Sequence, residues 1–472
     1  MLFNSFEFLV LVLVTLALYY LPLLRRWQVP ILIGSSLFFY AWTNPWLLLL
    51  FLLSAFVNVA TSYQVVHAAP ERRFFYAALG VVSNLGILAF FKYSPLIGHS
   101  LFPDTSEAGR FLSQIPLPIG ISFYTFEGIS LLVDAYRERD RHAAQELVPK
   151  SIGQHVRNTT LFVAFFPHLI AGPILKAHQF IPQIKPKYLT DIDWEAFFRA
   201  VVVGYFLKIV VADNLKEQTF WIAYPYFERQ SSLMLITMLF GYSMQIFADF
   251  AGYSLIAIGV AHLFGYSLPD NFNFPYISQS ITEFWRRWHI SLSSFLREYL
   301  YIPLGGNRKG ETRTYLNLMV VMFLGGLWHG AAWSYAVWGS FHGIALAVER
   351  LSGQANRVPR TVLGRVAATL FTFGLVSLAW LLFRLPNFEQ ALSYLYHMGS
   401  NRSFAISGLE YLTIACILIY SLPVVLYHVW YLAQESAVGF GLQRLSYAWY
   451  GLMLFLTLTN AGPAGSFIYF QF

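Results

Sequence analysis

The stretch Gly325-Gly326-Leu327-Trp328-His329-Gly330 sets one imidazole among glycines, beyond the basic loop that holds Arg308, Lys309 and Arg313. The separation of about 16 residues from Arg313 corresponds to roughly 24 Å along a helix, so His329 is predicted to lie deep in any membrane bordered by that loop. Histidine takes and gives protons near neutral pH, and an ionisable side chain at membrane depth is a functional position by default. Flanking glycines let the backbone break and a substrate come close. A neutral imidazole bonded to a neighbouring helix accounts for the same residue, and position alone does not separate the two readings.

A second imidazole, His289, sits in Phe284-Trp285-Arg286-Arg287-Trp288-His289-Ile290-Ser291-Leu292, where aromatic and basic residues interleave. Trp285 and Trp288 have the chemistry to stack on a ligand, and Arg286 and Arg287 to pair with phosphate; an interfacial aromatic-basic belt uses the same residues. Asp249 and Asp270 bracket Phe250-Ala251-Gly252-Tyr253-Ser254, and either carboxylate is suited to orient an imidazole by accepting its second N–H. His168 is read as shaping a turn, and His342 as a structural partner on the helix after His329. There is no HExxH, paired CxxC or carboxylate cluster of metal spacing, so no metal site is expected. Leu304-Gly305-Gly306-Asn307-Arg308-Lys309-Gly310 lacks P-loop spacing, and no GxSxG elbow occurs.

The elements that must position these residues are set by composition. Of 472 residues, 57% are hydrophobic and 12% charged, against about 25% charged in soluble domains. The solvent of this fold is therefore the bilayer, and soluble multidomain architectures are excluded. Aromatic residues reach 18%, with 44 Phe, as lipid-facing helices with interfacial Trp and Tyr require. The lone Cys416 lies in an apolar run and permits no intramolecular disulfide. The net charge of +7 is scattered in short clusters between apolar runs, which reads as topology and not as a nucleic-acid surface.

Apolar runs able to cross the membrane fall at 6–24, 30–42, 46–63, 74–91, 117–136, 196–211 and 231–264, then at 315–328, 331–347, 363–383, 409–430 and 447–458. The first has no leading basic region or small-residue cleavage site, so it is expected to stay as a helix. Arg25 and Arg26, Arg72 and Arg73, and Arg137, Arg139 and Arg141 mark alternate loops as cytoplasmic, with the N-terminus outside and 467–472 on the outer side. Two stretches resist this scheme. Residues 157–176 carry Pro167, His168, Gly172 and Pro173 within an apolar core, which predicts a re-entrant hairpin; residues 281–301 are amphipathic and predict a piece inside the protein or at the cytoplasmic interface.

Taken together, Leu117-Pro118-Ile119-Gly120-Ile121-Ser122-Phe123-Tyr124-Thr125-Phe126, residues 165–173, Asp249 to Ser254, Thr282 to Gly306, and Trp328-His329-Gly330 resemble the membrane-bound O-acyltransferases over essentially the whole chain. Within them, the 284–293 stretch and the ending 467–472 are more similar to the bacterial alginate-acetylation type than to the D-alanine transfer type. The resemblance implies a single transmembrane domain over 1–472: an all-α polytopic protein of about eleven transmembrane helices, with re-entrant helices around a central funnel. It implies His329 as the catalytic histidine and His289 as the second, with Trp285, Arg286, Arg287, Trp288, Asp249 and Trp328 about the substrates. It further implies a bacterial inner-membrane enzyme with no bound cofactor. Such an enzyme moves acetyl from acetyl-CoA or an acyl carrier to a secreted exopolysaccharide, alginate or cellulose, through periplasmic relay proteins. D-alanyl transfer, and a noncatalytic transporter or scaffold, stand as the alternatives.

Overall fold

The computed structural model describes every residue except 43, 104–105, 140–141, 171, 354–358, 386, 402–406, 435–445, 464 and 466–472; the chain ending 467–472 thus lies outside the described residues. Those described fold into helices and connecting turns without a strand. Two compact units are formed, one from Met1–Val201 with Ile256–Pro269 and the other from Val202–Leu255 with Asp270–Phe472.

In the first unit, helix α1 (Phe6–Tyr20) starts at Ser5, whose hydroxyl accepts from the Phe8 amide at 3.2 Å. Pro22 cannot continue it, and the chain turns by 102° into α2 (Gln28–Ala41). The first two apolar runs are therefore one bent pair. Helices α3 (Pro45–His67) and α4 (Pro70–Leu101) each begin with proline at the first turn, where no N–H is needed, and pack on α5 (Ile121–Arg137). Their buried polar groups answer one another: the Asn58 and Asn84 amides exchange hydrogen bonds of 2.8 and 3.3 Å, and Ser62 Oγ meets His155 Nε2 of α6 (Ile152–Ala164) at 2.9 Å. Helix α6 ends at Ala164, and residues 165–170 and 172–176 are non-helical and, apart from the partly exposed Ile170, buried. This segment is held by His168, whose Nε2 lies 2.5 Å from Glu127 Oε1 of α5, both fully buried. A paired carboxylate at such a depth satisfies a polar turn that lipid would not tolerate.

In the second unit, α7 (Ser232–Leu263) contributes its residues up to 255, the remainder counting with the first unit. Helices α8 (Ile281–Arg287) and α9 (Ile290–Leu296) make up most of the amphipathic stretch, which breaks at Trp288–His289. Helix α8 is capped by Ser280 Oγ, which accepts from the Glu283 amide at 3.0 Å. Its first turn also donates to Glu349: from the Ile281 amide, and from the Thr282 amide and hydroxyl at 2.9 Å each. Glu349 belongs to α11 (Trp333–Leu351), which follows α10 (Glu311–His329); α12 (Val362–Arg384) and α13 (Gly408–Gln434) come after.

Five described helices, α3, α4, α7, α12 and α13, are long and apolar enough to cross a membrane, or six with the bent α1–α2 pair counted as one span. Fewer helices satisfy this length and apolarity than the eleven or so implied by resemblance. The other runs form shorter helices or ones interrupted by polar residues, as α10 and α11 are by Asn317, His329 and His342. Large apolar side chains stand exposed on α1, α4, α12 and α13, among them Leu13, Phe74, Phe371 and Ile419, as lipid contact requires. The chain is an all-α polytopic membrane protein.

Candidate active site

Helices α10 and α11 form a close hairpin because two glycines meet. A β-carbon on Gly326 would stand 2.2 Å from the Tyr335 carbonyl oxygen and 3.0 Å from Gly339 Cα, and one on Gly339 would stand 2.2 Å from the Met322 oxygen. Only glycine permits this approach, and it sets Trp338 of α11 beside the last residue of α10. That residue is His329, 6% exposed, after which Gly330 leaves the helix in an extended conformation. The His329 ring lies 5.1 Å from Trp328, 5.2 Å from Trp338 and 5.3 Å from Phe383 of α12, each nearly edge-on. Trp380 stacks on Trp338 at 5.7 Å behind it. An imidazole is thus held in a cage of aromatic walls with few alternative rotamers.

The second imidazole is 6.1 Å from the first, centroid to centroid. His289 has φ +44, a left-handed conformation that costs a β-carbon-bearing residue strain and recurs at functional sites. It persists because Asn271 fixes the turn: the Ile290 amide donates to the Asn271 carbonyl oxygen at 2.9 Å, and the Ser291 hydroxyl to Asn271 Oδ1 at 2.6 Å. Asn271 Nδ2 in turn donates to Ser254 Oγ at 3.0 Å. Oδ1 therefore remains an acceptor for His289 Nδ1, 3.3 Å away, which assigns the proton to Nδ1 and leaves Nε2 as a bare acceptor. Nε2 is buried with no hydrogen-bond partner. The residue is 0% exposed, walled by Phe250 at 4.7 Å and Trp328 at 5.8 Å, and burial pushes its pKa down to about 3. His289 is a neutral hydrogen-bonding group throughout the physiological range.

The structure brings His329, His289 and Trp328 together, with Trp288 buried behind them against Phe272 at 5.0 Å and Trp380 at 5.0 Å. Trp285 lies a turn away, against Trp338 at 5.7 Å. Arg286 is exposed; Arg287 bonds Glu283 at 2.9 Å and the Asn273 carbonyl at 3.1 Å. Asp270 is exposed, while its neighbour Asn271 is the residue that orients His289.

Asp249 is set in an ion cluster. Lys208 Nζ reaches Asp213 Oδ1 at 2.6 Å and Asp249 Oδ1 at 2.8 Å, with all three side chains buried. The cluster fastens α7 to the π-helical turn Phe206–Ala212, against which Gly252 also packs, and so fixes Phe250, the wall of His289. Lys208 carried a legible signal, a lysine inside the apolar run 196–211 that must find a counter-charge. Asn271, Trp338, Trp380, Phe383 and Glu349 carried none, because they come from turns and helices that only the fold unites. Among the described residues, no group of three His, Cys, Asp or Glu side chains converges to hold a metal.

The model of the membrane-bound O-acyltransferase family matches residues 155–389, a range that contains both imidazoles and the ion cluster. The chain is similar to the probable alginate O-acetylase AlgI of Pseudomonas aeruginosa, 40% identical over 418 residues that cover 87% of this chain and 77% of that protein. It is similar to the peptidoglycan O-acetyltransferase of Helicobacter pylori, 38% identical over 389 residues, 78% of this chain and 73% of that one. Similarity to the teichoic acid D-alanyltransferase of Bacillus subtilis is lower, 26% over 281 residues, 56% of this chain and 68% of that one. With such identity over most of both chains, this integral membrane protein belongs to the membrane-bound O-acyltransferase family and is an O-acyltransferase.

Proposed function

We propose that this protein transfers an acetyl group from a cytoplasmic thioester, acetyl-CoA or an acyl carrier, across the bacterial inner membrane for O-acetylation of a secreted exopolysaccharide. The observation that carries the reading is the pairing of two buried imidazoles 6.1 Å apart, one of them locked as a neutral acceptor. Thioesters are made in the cytoplasm and secreted polymers are modified outside, so a site within the membrane must meet both substrates. His329 acts as general base on the acceptor hydroxyl, whose oxygen attacks the thioester carbonyl. The C–O bond forms, the C–S bond breaks, and the proton taken by His329 passes to the leaving thiolate. His289 accepts at Nε2 from a second donor group of the acceptor, beside the reacting hydroxyl, and so holds that hydroxyl in line with its own proton facing His329; Trp328 and Trp288 keep water out. Arg286 and Arg287 attract the phosphates of the donor at the entrance.

The acetyl reading draws support from the O-acetylating relatives at 38–40% identity. D-alanyl transfer has the weaker relative, at 26%. The relatives named for alginate and for peptidoglycan point to a hydroxyl-rich glycan at the outer face, reached through a periplasmic partner that relays acetyl to the polymer. Acetyl ester content of the exopolysaccharide, compared between cells with wild type and His329→Ala at equal membrane abundance, tests this function. Loss of ester supports it, and unchanged ester refutes it.

A further inference from the structure

Toward the basic end of α11, the aromatic cage around His329 runs into a third imidazole. The ring of His342 lies 4.9 Å from Trp338, itself a wall of His329, and 5.2 Å from Trp285. It is 0% exposed, and neither of its ring nitrogens has a hydrogen-bond partner; the indole N–H groups of Trp338 and Trp285 are buried and unbonded as well. A buried histidine that supports the fold engages at least one ring nitrogen with a protein group, as His168 does on Glu127 with its Nδ1 unbonded, His428 on Val424 with its Nε2 unbonded, and His155 on Ser62 and Val59. A neutral imidazole has one donor and one acceptor. The His342 and Trp285 rings meet at 86°, and no polar atom answers either ring nitrogen or either indole donor. Such a set fits a guest that donates and accepts at one point, which is the chemistry of an amide.

The place of His342 along the helix says which substrate brings that amide. It lies about 14 Å along α11 from its start at Trp333, on the side of Arg350 and of the Glu349 contact with α8. The exposed Arg286 belongs to the same α8 as Trp285. We propose that His342, with Trp285 and Trp338, forms a polar station that hydrogen-bonds an amide in the arm of the acyl thioester as it passes from the basic face to His329. This inference rests on the reading that a thioester donor reaches His329 from that face.

The single native cysteine makes the test direct. In a Cys416→Ala background, His342→Cys is exposed, in inverted membrane vesicles, to a small charged methanethiosulfonate reagent with or without saturating acetyl-CoA. The expected result is modification from the basic face, slowed severalfold by acetyl-CoA. No modification, or modification at the same rate with acetyl-CoA present, overturns the station. In parallel, His342→Phe should raise KM for acetyl-CoA about tenfold with kcat little changed, and His342→Gln should restore much of the loss. Equal loss of abundance in both variants, without labelling of His342→Cys, identifies a purely structural residue. Failure of the catalytic reading shows separately, as acetyl transfer that survives His329→Ala.

Discussion

Two buried polar clusters share the second unit and are built on opposite plans. Around Lys208 the charges are answered: one ammonium holds two carboxylates within 2.8 Å, leaving Asp213 Oδ2 as its loose end. Around His289 and His342 the groups are neutral, and ring nitrogens and indole N–H groups stay unbonded in aromatic walls. A cluster that satisfies itself holds helices together. One that leaves donors and acceptors open within aromatic walls is prepared for something to enter, because an unmade buried hydrogen bond is costly until a partner makes it. The two are joined through α7, where Asp249 binds Lys208 and the next residue, Phe250, walls His289.

The self-satisfied cluster depends most on Lys208. Lys208→Met leaves two buried carboxylates without a counter-charge and should destabilise the protein by about 3–5 kcal/mol, seen as lower membrane abundance and an earlier thermal transition in detergent. Normal abundance and an unchanged transition would mean that the ion cluster is dispensable. Next is Asn271→Leu, which removes the acceptor that sets the His289 tautomer and should lower acetyl transfer about 10–100-fold, while Asn271→Asp, which keeps an acceptor, loses less. Equal activities in the two variants would detach Asn271 from the chemistry. Arg287→Gln breaks a partly exposed pair with Glu283, whose side chains are 20% and 30% exposed, and should change stability by no more than about 1 kcal/mol; a larger shift in the melting temperature would give that residue a structural weight the geometry does not.

The smallest expected effect is on pH. Burial pushes His289 down to about 3, so it is neutral both at pH 5 and at pH 8 and gains no proton between them. His289→Gln should therefore reduce the rate while leaving the midpoint of the rate–pH profile in that range where it is in wild type. A midpoint displaced by a full unit would show that His289 titrates during turnover.

Much of this was legible in the sequence, for identifiable reasons. The glycines about His329 foretold a break in the backbone there, and α10 stops at that residue. Pro167 and Gly172 foretold the irregular backbone that follows Ala164. The bend at Pro22 was not read, because hydropathy sees two apolar runs and not the angle between them. Asp249 and Asp270 were singled out by charge, whereas the residue that orients His289 is the neutral Asn271, which draws no notice in a sequence until a folded turn brings its amide under the ring.

Proton transfer by His329 is tested by following acetyl loss from acetyl-CoA and its gain by the acceptor, in membranes that contain the purified protein and its polymer-acetylating system, for wild type and His329→Gln. Glutamine keeps a polar side chain in the aromatic cage but cannot take the proton, so transfer should fall about 10²–10⁴-fold with abundance and melting temperature preserved. Transfer near the wild-type rate in a folded His329→Gln protein would contradict the account and move the chemistry away from this imidazole.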